Sequence, residues 1–188
     1  MRVIAGTAKG TRLAPVPSGV RPVSDRAREG AFSSLGQRVV GAAVLDLFAG
    51  TGALGIEALS RGAARAIFVE RAPRAVAAIR ENLGRARVAE RAEVVRRDVD
   101  RYLDRRPERS FGLVFVDPPY ASGGPAVRSI LERLRTSGAL TEDAIVLLTR
   151  DLRSSTDVIP VNWPVAKRLV YGDSVVTLLR HQPRTTEE

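Results

Sequence analysis

Cysteine is absent from the 188-residue sequence, and histidine, methionine and tryptophan occur once each. The lack of cysteine excludes disulfide bonds, a thiolate nucleophile and cysteine-ligated zinc. Long apolar runs are also missing, because the best candidate, residues 39–49, is short and contains Asp46. The residues that follow Met1 lack the apolar core of a signal peptide. We therefore expect a cytoplasmic monomer that uses no metal and contacts no membrane.

Lysine is scarce, with two copies, yet the chain is strongly basic because arginine is abundant. The formal net charge is +9, and the sequence pI is about 11.1. Residues 1–40 alone hold seven cations against two carboxylates. A concentrated basic segment is typical of nucleic-acid binding, and the alternative is a basic protein with no such partner. The predicted nucleic-acid contacts are Arg2, Lys9, Arg12, Arg21, Arg26 and Arg28.

Two short runs near the start of the chain, Arg2–Ala5 and Thr11–Ala14, flank a glycine-bounded turn and predict a β-hairpin. We expect residues 1–20 to form a basic extension that contributes little to the apolar sheet and acts in substrate docking rather than in folding or cofactor binding. The main domain is then predicted over residues 21–183, with a frayed tail over residues 184–188.

From residue 44 onward, short apolar runs alternate with segments of helical periodicity. The alternation predicts an α/β fold with a mostly parallel sheet, covered by helices on both faces. Near the end of the chain, Arg168–Tyr171 and Val175–Leu179 flank a Gly-Asp-Ser turn and predict an antiparallel hairpin. The predicted parallel strands are Val44–Ala49, Ala66–Glu70, Ala92–Arg96, Leu113–Asp117 and Ala144–Leu148, and the predicted helices include one capped by Ser24, one over Ala53–Arg61 and one that begins at Pro73.

A glycine-rich loop follows the first predicted parallel strand and has the form GxGxxG over residues 50–55. Glu70 ends the next strand about twenty residues later, where a carboxylate can bind the ribose of a dinucleotide. S-adenosylmethionine presents the same ribose, so Glu70 fits either cofactor. Asp46 favours S-adenosylmethionine, because a carboxylate is unfavourable beside a pyrophosphate and suits a cationic amino acid.

The predicted cofactor site extends over three strand ends. Asp98, at the end of the third strand, can accept a hydrogen bond from an adenine amine, although both Asp46 and Asp98 could instead cap helices. The full set of predicted cofactor contacts is Asp46, Phe48, Gly50, Thr51, Gly52, Glu70, Arg71, Asp98 and Val99.

The predicted catalytic motif, Asp117-Pro118-Pro119-Tyr120, follows the fourth strand. Asp117 and the Pro118 carbonyl can accept both hydrogens of an amino group, and Tyr120 offers a ring on which a flipped base can stack. Proline keeps the turn rigid, although a Pro-Pro turn also occurs without a catalytic role. Methylation at a pyrimidine carbon normally needs a cysteine nucleophile, whereas an amino nitrogen needs only orientation. The motif therefore favours methyl transfer to an exocyclic amine.

Together these motifs resemble those of the bacterial 16S ribosomal RNA guanine-N2-methyltransferases, which are small class I enzymes with a Rossmann-like fold. The matching segments are residues 1–6 with 9–10, 21–32, 46–52 with 55–63, 117–120 and 171–173. The resemblance implies S-adenosylmethionine as the methyl donor and a guanine in small-subunit ribosomal RNA as the target, methylated in an assembled particle. Val23 and Thr149 depart from the family pattern, which has threonine and glutamate in the corresponding segments.

Other functions remain open at this point. An adenine-N6-methyltransferase acting on DNA or RNA shares the catalytic motif, but such enzymes usually carry a separate target-recognition domain. A nicotinamide-dependent dehydrogenase would explain GxGxxG and leave Asp117–Tyr120 unexplained. A non-catalytic ribosome-assembly binder would have no need of Asp46 and Asp117.

Overall fold

The computed structural model describes residues 1–15, 23–105, 109–119, 121–153 and 158–182, in which helices and strands alternate along most of the chain. The helices are α1 (Asp25–Leu35), α2 (Ala53–Ser60), α3 (Pro73–Ala86), α4 (Val99–Leu103) and α5 (Gly124–Thr136), and the strands are β1 (Ala43–Leu47), β2 (Arg65–Glu70), β3 (Ala92–Arg96), β4 (Phe111–Val116), β5 (Leu140–Asp151), β6 (Val165–Tyr171) and β7 (Ser174–Arg180). Short 3₁₀ helices lie at Gly36–Val39 and Ala89–Arg91.

Within the described residues, the strands form one sheet in the order β3-β2-β1-β4-β5-β7-β6. Strands β1 to β5 are parallel, and β7 runs antiparallel to both of its neighbours. The chain builds β2 and β3 on one side of β1 and then places β4 on the other side. This switch in direction opens a crevice beyond the carboxyl ends of β1 and β4, where open α/β sheets bind their ligands.

Strands β1 and β4 are buried along most of their length because helices cover both faces of the sheet. Alternate residues of β4 point to opposite layers: Leu113 and Phe115 pack with the layer of α1, α2 and α3, whereas Val114 and Val116 pack with that of α4 and α5. Phe32 of α1 meets the Phe115 ring edge-on, with centroids 5.7 Å apart. Both layers are anchored on the strand that delivers the predicted catalytic residue.

The predicted fold class is confirmed, with small shifts at element ends. Ser24 caps α1 as expected, accepting a hydrogen bond from the Ala27 amide at 3.1 Å. The main difference is β5, which continues beyond the predicted Leu148 to Asp151. The added residues are part of the strand because they pair with β7, and the last pair is Asp151 with Ser174. In the described part of the chain, no helix is both long and apolar enough to cross a membrane.

The amino-terminal arm, defined here as residues 1–15, forms a narrow hairpin closed by a single antiparallel bridge between Arg2 and Arg12. Val3, Ala8 and Leu13 of the arm are buried in the same core as α1, α2 and α3. Among the described residues the arm adds no strand to the sheet, as expected, but the expectation that it has no part in folding is wrong. Val3, Ala8 and Leu13 enter the core while Ile4 and Ala5 stay half-exposed, and a count of apolar residues in a short basic segment does not separate the two groups.

Candidate active site

The cofactor loop, residues 46–55, leaves the end of β1 and enters α2. Phe48 and Gly50 both adopt positive φ, at 59° and 57°, so the loop turns tightly before the helix begins. Gly55 lets α2 approach the sheet, because a Cβ there would lie 2.3 Å from the Phe68 ring and 3.0 Å from an Asp46 oxygen. The glycines thus allow α2 and the cofactor loop to pack closely against the sheet.

Asp46 is buried at the mouth of β1, and its Oδ2 accepts a hydrogen bond from the Gly55 amide at 2.9 Å. Burial raises the pKa of Asp46 well above its ordinary value, although the Gly55 hydrogen bond opposes the shift. The negative charges of Asp117 and Glu70 raise the pKa of Asp46 further. Asp46 therefore lies close enough to both of the other carboxylates for their charges to disfavour its own ionisation.

Glu70 holds the cofactor loop from the neighbouring strand. Its Oε2 accepts from the Gly50 amide at 3.0 Å, and its Oε1 accepts from the Ala72 amide at 2.8 Å. Each carboxylate oxygen keeps a second lone pair. Glu70 can therefore shape the loop and still accept hydrogen bonds from a ribose.

Asp98 caps α4, because its Oδ1 accepts from the Asp100 amide at 3.0 Å. Its other oxygen lies 3.5 Å from Nη1 of Arg71. Val99 is buried as the first residue of α4. The structure thus brings these three predicted cofactor residues together beside β2 and β3, with Asp98 in the helix-cap arrangement that the sequence left open.

Asp117 follows the last residue of β4, and its amide donates to the Leu47 carbonyl of β1 at 3.4 Å. Burial raises the pKa of the Asp117 carboxyl to about 7. Pro118 is buried and Pro119 is exposed. Tyr120, the third predicted catalytic residue, lies outside the described residues. Asp117 itself is half-buried, so the turn presents a partly desolvated carboxylate at the crevice beside the cofactor loop.

The electrostatics of the crevice select for a cation. Asp46, Glu70 and Asp117 place three carboxyl groups where the backbone also turns sharply, and the charges of Asp117 and Glu70 both raise the pKa of Asp46. An anionic pyrophosphate would increase the repulsion, whereas a ligand carrying ammonium or sulfonium groups would relieve it. The site therefore fits an aminoacyl-adenosine cation.

Four of the predicted nucleic-acid contacts are exposed: Arg2, Lys9, Arg12 and Arg26. A cavity of about 250 Å³ between the arm and α1 is lined by Arg2, Lys9 and Arg26, together with Asp25 and Glu29. Arg21 lies outside the described residues. The exposed cations thus share one side of the molecule, around the arm.

Arg28 was predicted to bind nucleic acid, and this prediction is wrong because its side chain is fully buried. Its Nη2 donates to the Arg2 carbonyl at 2.6 Å and to Asp25 Oδ1 at 2.7 Å. Its Nη1 lies 3.7 Å from Oε2 of Glu57, which is also buried. Arg28 therefore joins the arm to α1 and α2.

Sequence reasoning missed three buried polar residues that hold the arm. Glu57 accepts hydrogen bonds from the Ile4 and Ala5 amides at 2.8 and 3.1 Å. Ser60 accepts from the Ala8 amide at 2.9 Å, and Gly6 packs so closely that a Cβ there would lie 1.9 Å from the Ser60 carbonyl oxygen. Both polar residues belong to α2, the helix that follows the cofactor loop.

The third missed residue, Asn82, connects the arm with the cofactor loop. Its Oδ1 accepts from the Ala14 amide at 2.7 Å, and its Nδ2 donates to the Thr51 carbonyl at 2.9 Å. Asn82 is fully buried on the apolar face of α3, three residues after Ile79. A polar residue on a buried helical stripe is the signal that could have identified it.

The switch-point crevice, the glycine loop and the acidic strand ends define a class I methyltransferase with a Rossmann-like fold. The chain belongs to the family described as conserved hypothetical protein 95, whose model matches residues 1–180.

Relatives and solved structures agree with this assignment over most of the chain. The small-subunit ribosomal RNA methyltransferase D of Escherichia coli K12 is 33% identical over 184 residues, which cover 97% of this chain and 90% of the relative. The protein of the same name from Haemophilus influenzae is 30% identical over 176 residues, covering 92% and 89%. A solved Escherichia coli structure, described provisionally as a methyltransferase, is 33% identical, covers 98% of this chain and 99% of its own, and superposes with a TM-score of 0.85.

Proposed function

We propose that the protein transfers a methyl group from S-adenosylmethionine to the exocyclic N2 amine of a guanine in 16S ribosomal RNA, within an assembled small-subunit particle. The observation that carries the proposal is Asp117, a partly desolvated carboxylate at the end of β4 with a pKa of about 7, beside a cofactor loop that is flanked by Asp46 and Glu70. The names of the relatives, which specify ribosomal RNA of the small subunit, support the substrate class.

S-adenosylmethionine supplies an electrophilic methyl group on a sulfonium. In the proposed reaction, Asp46 and Glu70 hold its cationic and ribose portions, and Asp117 with the Pro118 carbonyl accepts the two hydrogens of the target amine. These contacts would direct the nitrogen lone pair at the methyl group, so that orientation lowers the barrier. The N–C bond would form as the C–S bond of the sulfonium breaks, with the thioether as leaving group, and the proton lost by the amine would pass to Asp117. A solved RNA methyltransferase from Salinibacter ruber that shares the fold contains S-adenosyl-L-homocysteine, although at 16% identity it supports the fold alone.

Direct transfer to an amine needs no metal. We propose that the enzyme is a monomer, because the arm, the cofactor loop and the catalytic turn all come from one chain. An enzyme with ribosomal RNA as its substrate would act in the cytoplasm. The exposed cations Arg2, Lys9, Arg12 and Arg26, together with Arg21, would contact the phosphate backbone.

The test is to incubate the protein with labelled S-adenosylmethionine and unmethylated small subunits, and to identify the modified nucleoside by mass spectrometry. We expect N2-methylguanosine at one position, and none with Asp117→Asn. N6-methyladenosine would contradict the guanine assignment and favour the adenine enzyme. Binding of small subunits without any transfer would favour a ribosome-assembly binder.

A further inference from the structure

A groove of about 360 Å³ lies on the part of the sheet formed by β5, β7 and β6. Its floor consists of side chains that share one face of these strands: Leu148 pairs with Thr177, which pairs with Arg168, and Arg150 pairs with Val175. Its wall is the chain segment before β6, including Val158, Pro160 and Trp163. In the order of the sheet, β4 with Asp117 stands between this groove and the cofactor loop.

The groove adjoins the strand that ends at the catalytic turn. Leu148 on its floor pairs with Val116, the residue before Asp117. Nη1 of Arg150 donates to the Ser122 carbonyl, just beyond the catalytic motif, at 2.9 Å. Neighbouring strands lie about 5 Å apart, so the groove begins within roughly 10 Å of the reacting carboxylate. A polymer bound at Asp117 would therefore reach it with a neighbouring unit.

Apolar side chains at the rim of the groove are exposed. Val161 has a relative exposure of 103% and Val165 of 53%. Exposed apolar surface that adjoins a catalytic site commonly marks a place where a partner binds. The apolar rim, together with Leu148 and Val175 of the floor, fits the flat face of a nucleobase.

The polar groups of the groove are mainly donors and cations. Arg150 and Arg168 contribute two guanidinium groups, and Asp151, the one lining carboxylate in the described part of the groove, already accepts from the Arg153 amide at 2.8 Å. Nε of Arg150 and Nε1 of Trp163 are buried and have no hydrogen-bond partner among the described residues. Both groups can only donate, and an unsatisfied buried donor costs free energy. A ligand with acceptor atoms and a negative charge would match this surface.

We propose that the groove binds one unstacked nucleotide of the RNA substrate, close in the strand to the methylated guanine. This inference rests on the proposed function. The base would pack on the apolar surface, with its acceptor edge toward Arg150, and its phosphate would lie near Arg168. RNA-binding proteins recognise splayed-out bases in this way, with stacking on arginine planes and hydrogen bonds to base edges.

Steady-state kinetics with unmethylated small subunits test the groove. Val161→Asp and Arg168→Glu each place a negative charge where the nucleotide would bind, and we expect each to raise KM for the subunits by about ten-fold, which corresponds to about 1.4 kcal/mol. The affinity for S-adenosylmethionine should change by less than two-fold. Val40→Asp is the control for an exposed valine elsewhere. Lys167→Glu is the control for charge, because Lys167 is the neighbouring exposed residue of β6 but does not line the groove. Unchanged KM in both groove variants, or equal increases in the controls, would overturn the proposal.

Crosslinking identifies the occupant. A photoreactive amino acid at position 161 should crosslink to ribosomal RNA within a few nucleotides of the methylated guanine. A crosslink to a ribosomal protein, or to RNA far from that guanine, would overturn the proposal. Failure of the proposed function can be told apart from failure of the groove proposal, because the wild-type protein would then transfer no methyl group to guanine. The crosslink would still identify what occupies the groove.

Discussion

Asp117 combines a chemical task with an unfavourable environment. As the proposed hydrogen-bond acceptor it must be ionised, yet burial raises its pKa to about 7 and so favours the protonated form near neutral pH. Because kcat/KM reports the ionisation of the free enzyme, we expect kcat/KM for S-adenosylmethionine to rise with pH through about 7 and to level off about one unit higher. Initial rates at constant ionic strength measure this. A profile that is flat between pH 6 and 8 would contradict the role of Asp117.

The same pKa shift predicts an effect on stability. The pKa of Asp117 is higher in the folded protein than in the unfolded chain. The protonated carboxyl therefore contributes to the free energy of unfolding in full below about pH 4, and this contribution is lost as pH rises through about 7. We expect Asp117→Asn to raise the melting temperature of the cofactor-free protein by a few degrees at pH 8. The difference should shrink as pH falls toward 5. A variant that melts below the wild type at pH 8 would show that the carboxylate is stabilised by contacts other than those described.

At the scale of elements, α3 connects the arm to the cofactor loop through Asn82. Asn82→Ala removes the donor to the Thr51 carbonyl and leaves that carbonyl without its partner. We expect a loss of S-adenosylmethionine affinity of about 1–2 kcal/mol, roughly ten-fold, in calorimetry. Ser60→Ala is the matched control, because it also removes a buried arm contact but does not touch the cofactor loop. Equal losses in the two variants would indicate general destabilisation.

Local patterns predicted most of the fold and of the site. The apolar runs of β1 and β4, the glycine loop and the motif at Asp117 are each readable within about ten residues, because strand burial, loop turning and proline rigidity are local properties. Arg28, Glu57 and Asn82 were not predicted in their roles. Their partners lie up to 68 residues away, and nothing local distinguishes a buried arginine from one exposed to RNA.

At the scale of the whole molecule, the arm has two separable properties, its packing and its charge. Removing residues 1–14 would uncover core residues and the buried charges of Arg28 and Glu57, so we expect this truncation to fail to fold, as judged by circular dichroism. A folded truncation with normal cofactor affinity would show that the arm is only an appendage.

The charge of the arm is tested without disturbing its packing. Lys9 and Arg12 are exposed, so the double reversal Lys9→Glu with Arg12→Glu should leave the melting temperature nearly unchanged. Affinity for small subunits should fall, and its dependence on salt should become shallower as phosphate contacts are lost. Filter binding across a salt series measures both, and unchanged affinity and slope would place the RNA contacts elsewhere.

The attachment of the arm also dictates an order of events during synthesis. The Ile4 amide donates a hydrogen bond to Glu57 and the Ala14 amide donates one to Asn82, across 53 and 68 residues. The arm is therefore synthesised well before the helices against which it packs. At roughly 5–20 residues per second, a bacterial or eukaryotic ribosome needs several seconds to bridge that gap. During this interval Val3 and Leu13 have no core to enter. The arm can therefore reach its folded position only after α3, which carries Asn82, has been made.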